Sequence, residues 1–150
     1  MHCGGPDNNT KQTWDNRNFS RTQFPSFHRR RSRKWSSLFV EELDDSYIEK
    51  VGPLLERHPA FPHRTNVEFI HVLGDREIEV AFWERGVGRT YASGTGSCGA
   101  TVASILNGKT GRQVLVHTKA GNLTVEWPEN GRLKLTSTAN IVAEGNYLEA

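Results

Sequence analysis

Five glycines fall within fourteen residues, at Gly86, Gly88, Gly94, Gly96 and Gly99, and no other stretch restricts the fold as much. Val80 and Phe82 read as the end of a strand, the charged pair Glu84-Arg85 follows, and Ser93, Thr95, Ser97 and Cys98 sit among the glycines. The stretch then runs into Ala100, Val102, Ala103, Ile105 and Leu106, which predict a helix with almost no polar face. A helix apolar nearly all round is expected to be buried. Glycines before a helix let the backbone approach a ligand closely. The helix start offers free N–H groups and the positive end of its dipole, which together make an anion site. The sequence therefore predicts a pocket floor at 93–95, with the bare strand–helix connection as the weaker reading.

The rest of the chain supplies walls for that helix. Leu38–Val40 reads as a short apolar strand. Asp44, Asp45 and Ser46 offer N-cap chemistry for a helix over about 46–57, interrupted at Gly52-Pro53. Residues 66–73 and 77–82 alternate as paired strands about a Gly74-Asp75 turn. Asn107-Gly108 closes the buried helix. Strands are expected at 113–118, 122–127 and 132–137, with a last short one at 139–143. The fold class is α+β: a mostly antiparallel, barrel-like sheet wrapped around one buried central helix, with a second helix outside.

Residues 1–36 lack Ile, Leu and Val and show no period, and they read as a basic tail, disordered or non-native in origin. Residues 1–40 carry eight Lys and Arg against two Asp, and residues 41–150 eleven against fifteen acids. An acidic body argues against a nucleic-acid partner. No apolar run approaches a membrane span, and Cys3 and Cys98 make no disulfide framework, so a reducing, cytoplasmic setting is expected.

Three segments, P-A-F-P-H-R-T-N-V-E-F, W-E-R-G-V-G-R-T and S-G-T-G-S-C-G-A, taken together over residues 38–148, resemble the C-terminal half of the diaminopimelate epimerase family. The resemblance implies a cofactor-free, metal-free isomerase of two similar domains, with 37–150 as the second. It implies LL- and meso-diaminopimelate as substrate, and a paired cysteine from each domain for proton transfer. It makes Asn66 a substrate-binding amide. Glu84 and Arg85 become readers of the distal amino-acid end, and Gly94 and Thr95 holders of the α-carboxylate. The family's catalytic cysteine falls at Ser93, which takes that candidate catalytic position. Cys98, five residues on, matches a non-catalytic cysteine of the family. Nothing before Leu38 resembles the family's other cysteine motif, so the missing domain or a homodimer is the expected partner. The alternatives are an inactive paralogue or fragment that binds an amino-dicarboxylate, and a related isomerase of the phenazine-biosynthesis or proline-racemase kind.

Overall fold

In the computed structural model, residues 35–129 and 131–146 are described. The tail expectation for 1–36 falls largely outside them, although strand β1 (Trp35–Val40) takes in two residues that the sequence places in the tail. Helix α1 (Asp45–Glu56) follows. Its cap is Asp44, whose carboxylate accepts the Ser46 and Tyr47 N–H groups at 2.6 and 3.1 Å. The helix runs through Gly52 and Pro53 without a break, with Pro53 in the last turn.

Strands β2 (Asn66–Gly74) and β3 (Glu77–Glu84) form an antiparallel hairpin turning at Asp75-Arg76. A three-residue strand, β4 (Gly88–Thr90), folds back on β3 and has no counterpart in the sequence reading. Helix α2 (Gly94–Leu106) leads to β5 (Gln113–Thr118), β6 (Gly121–Glu126) and β7 (Lys134–Thr136). The expected strand at 139–143 is not formed; that segment takes no regular secondary structure and is exposed.

The sheet order is β1-β2-β3-β5-β6-β7, with β4 beside β3. Four strand pairs are antiparallel, while β1–β2 and β3–β5 are parallel. A parallel pair needs a crossover, and α1 and α2 lie in the two crossovers. The sheet is open rather than closed into a barrel. Its two faces carry separate cores. Ile70, Ile78, Val80, Phe82, Val114 and Val125 pack with Ala100 and Ala103 of α2. Val67, Phe69 and Ala81 pack with Ile48 and Leu55 of α1 on the other side.

The open sheet changes what α2 buries. Its inward face is built from small residues, Gly96, Ser97, Ala100, Thr101, Ala103 and Ser104, which let the helix lie close to the strands. Leu106 is 55% exposed and Val102 and Ile105 are half-buried, so the helix is covered on one side only. The physical reason is that one sheet face can bury one stripe of a helix, not its whole circumference.

Candidate functional site

Ser93 caps α2. Its backbone is extended (φ −149°, ψ 112°), its Oγ accepts the Gly96 N–H at 3.3 Å, and its carbonyl accepts the Ser97 N–H at 2.8 Å. The first satisfies one of the orphan donors at the helix start, and the second is the first bond of the helix itself. Among the described residues no acceptor faces the N–H groups of Gly94 and Thr95, and both residues are exposed. A cap that holds the deeper donors and leaves the outer pair open suits an external anion. Gly96 has no room for a side chain: a Cβ would stand 2.9 Å from the Phe82 ring. That contact seats the start of α2 against β3, two residues before Glu84.

The Glu84–Gly88 turn joins β3 to β4. The Val87 N–H donates to the Glu84 carbonyl at 3.0 Å, and Gly86 (φ 77°) and Gly88 (φ 92°) take left-handed conformations that other residues avoid. These two glycines therefore serve a tight hairpin. Arg85 projects from it, exposed, and is anchored twice, by the first residue of β2 and by the loop before that strand. Its N–H donates to Asn66 Oδ1 at 2.9 Å, and its Nη1 donates to the His63 carbonyl at 3.1 Å. The Nε–Nη2 edge of the guanidinium has no partner among the described residues, and that planar edge suits a carboxylate.

Asn66, Glu84 and Arg85 are thus brought together at one end of β2 and β3, with Gly94 and Thr95 joined to them through the Phe82–Gly96 contact. The turn does not lie at the bottom of a pocket. Tyr91, Ala92, Gly94 and Thr95 all face solvent. A cavity of about 420 Å³ sits elsewhere, on the α1 side of the sheet, among Asp44, Asp45, Glu79, Arg89 and Lys119. There Asp45 bridges Arg89 Nη2 at 2.9 Å and Lys119 Nζ at 2.6 Å, and these contacts hold its carboxyl below the usual range, Lys119 foremost.

Acid–base chemistry at the turn is limited. No histidine or lysine side chain bonds to Ser93 among the described residues, and a serine hydroxyl needs such a neighbour to act as a base. Cys98 is half-buried against the α2-side core, and burial pushes its thiol up, away from the thiolate. No group of His, Cys, Asp and Glu among the described residues is arranged to hold a metal ion. No helix among them is long and apolar enough to cross a membrane.

Sequence reasoning missed Glu56. It is 3% exposed at the end of α1 and accepts hydrogen bonds from Trp83 Nε1 (3.0 Å), the Gly86 N–H (3.0 Å) and Arg64 Nη1 (3.4 Å). Burial alone would raise its pKa, but the indole, the amide and the cations Arg64 and Arg57 outweigh it and keep the carboxyl below its ordinary value. Nothing in the local pattern E-R-H-P marks this acid as buried, because its donors come from up to thirty residues away.

The sequence model of the diaminopimelate epimerase family matches residues 36–142. The chain is 54% identical over 110 residues to the diaminopimelate epimerase of Pelotomaculum thermopropionicum, covering 73% of this chain and 39% of that protein. It is 48% identical over 112 residues to that of Desulfitobacterium hafniense, covering 75% of this chain and 40% of that one. It therefore spans about two-fifths of the length of the relatives it matches. Among solved structures it is similar to a phenazine biosynthesis protein of the PhzF family from Bacillus anthracis. The TM-score is 0.51 at 17% identity, over 69% of this chain and 33% of that one, a likeness of fold alone.

Proposed function

Because the chain belongs to the diaminopimelate epimerase family, we propose that it forms the carboxylate-reading half of a cofactor-independent site interconverting LL- and meso-diaminopimelate. The observation that carries this reading is the open pair of N–H groups at Gly94 and Thr95, set beside the anchored Arg85 turn. In this reading the two amides take the α-carboxylate. Charge that develops on it when the α-proton leaves is then met by donors already in place. Arg85 and Glu84 read the carboxylate and ammonium at the far end, and Asn66 offers its remaining amide N–H groups to the ligand. Reading both ends fixes the reacting carbon relative to the helix start, which is the positional part of catalysis.

Inversion at that carbon needs one group to remove a proton from one face and a second to deliver one to the other. Ser93 occupies one of those positions but is a far weaker acid than a thiol. Cys98 lies more than a helical turn further on and is held as the thiol. We therefore assign binding and orientation to this chain, and the opposing proton carrier to an N-terminal half of the family or to a second copy. A cytoplasmic setting goes with this chemistry and with two cysteines that make no disulfide framework.

Calorimetric titration of the full chain with meso-diaminopimelate tests the binding claim, and heat of binding without turnover is the expected result. Ser93→Cys, mixed with an N-terminal domain of the family, should exchange the α-hydrogen with deuterated water faster than the serine form in the same mixture. Equal exchange by the two forms would remove residue 93 from the reacting carbon, and no binding at all would remove the assignment of the site.

A further inference from the structure

Glu56 occupies a position that should not favour a carboxylate. It is the last residue of α1, where the helix dipole presents its negative end, and it is nearly fully buried. Both of its oxygens are engaged: Oε1 accepts from Gly86 N–H and Arg64 Nη1, and Oε2 from Trp83 Nε1. These donors come from β3, from the turn after it and from the loop 57–65. Two routes lead from them to Arg85. Gly86 follows Arg85 directly in the chain. Arg64 lies between His63, whose carbonyl holds Arg85 Nη1, and Asn66, whose side-chain Oδ1 holds the Arg85 N–H. Arg64 is also the one non-glycine among the described residues with positive φ, at 59°. A side chain in that region is disfavoured unless its surroundings fix it, and the bond to Glu56 helps to do so.

From this geometry we infer that Glu56 is a positioning residue: it clamps the Glu84–Gly88 turn to the loop 57–65, sets the direction in which Arg85 presents its free guanidinium edge, and so determines selectivity for ligands with a second carboxylate. The inference rests on Arg85 being the distal reader. The clamp itself stands on the hydrogen bonds alone.

The full chain, wild type and Glu56→Gln, should be titrated with meso-diaminopimelate and with lysine, the same skeleton lacking the second carboxylate. An amide has one acceptor oxygen, so either the indole N–H or the Gly86 and Arg64 donors must face an NH₂ group. Diaminopimelate binding should weaken about tenfold while lysine binding stays unchanged, the size expected when a charged hydrogen-bond acceptor is lost. Adding Trp83→Phe removes the indole donor and lets the introduced amide turn its NH₂ group toward the ring, so most of the loss should be recovered. Without any ligand, hydrogen exchange at the Gly86 amide should speed up in Glu56→Gln and return toward wild type in the double variant. Equal loss for both ligands would overturn the selectivity role, and an unchanged Gly86 exchange rate would overturn the clamp. A wild-type chain that binds neither ligand overturns the assignment of Arg85, and Gly86 exchange then still decides the clamp.

Discussion

Glu68 is a carboxylic acid with 1% of its surface exposed, on the α2 face of the sheet. Burial raises its pKa to about 8; the Ser37 hydroxyl, 3.3 Å from Oε2, opposes that rise and nearby Glu84 adds to it. The folded protein therefore keeps a proton at neutral pH that the unfolded chain releases near 4.5. Stability from this group is fully present below about 4.5 and is lost as pH climbs toward 8. The slope approaches about 1.4 kcal/mol per pH unit in that window. Glu68→Gln keeps the shape without the titration. Its unfolding free energy relative to wild type should rise steadily between those pH values and level off above them. Urea unfolding across the range measures it, and a difference that stays flat would mean the wild-type carboxylate ionises in place. The same scale holds a second test. Arg85→Lys replaces a planar fork by a point charge, so affinity for diaminopimelate should fall by about 1–3 kcal/mol, read by calorimetry. Unchanged affinity would make Arg85 purely structural.

At the scale of elements, α1 and β3 meet through Gly52 and Trp83. A Cβ on Gly52 would lie 2.5 Å from the indole Cδ2, so the helix there has room only for glycine. Alanine would gain about 1 kcal/mol in helix propensity. The indole cannot easily retreat, because its Nε1 is tied to Glu56. Overpacking should therefore win, and Gly52→Ala should cost about 1–3 kcal/mol net in chemical denaturation. A neutral result would show that Trp83 shifts without cost. This pair also marks the limit of what could be read from sequence. Helix α2 was legible at both ends, since Ser93 and Asn107-Gly108 are local signals for its start and stop. Helix α1 was legible except at Gly52-Pro53, where a breaker pattern conceals a packing requirement set by a tryptophan thirty-one positions later. Strand β4 was hidden because three residues, Gly-Arg-Thr, carry no periodicity. Of the candidate site, the open amides at Gly94 and Thr95 follow from local chemistry. The Glu56 contacts follow only from strand pairing, which no local pattern encodes.

For the whole molecule, the order of strands sets where the structure is most firmly held. β2, β3 and β5 are inner strands, and each contributes wholly buried residues, among them Phe69, Ile78 and Val116. β7 is an edge strand with all three residues exposed, and the chain from 137 to 146 is exposed throughout. Native-state hydrogen exchange should be slowest in the first group and fastest in the second. Comparable protection in β7 would point to a covering surface on that edge. The same order has a consequence in time. Local hairpin closure can form β2–β3 and bring Arg85 to its turn early. Helix α2 belongs to the crossover between β3 and β5, and Glu77 finds Leu115 only after that long loop closes. On the proposed reading of the site, the Arg85 arm is therefore in place during synthesis before the helix start that would take the near carboxylate. Both ends of such a ligand would be met only once β5 has left the ribosome and docked on β3.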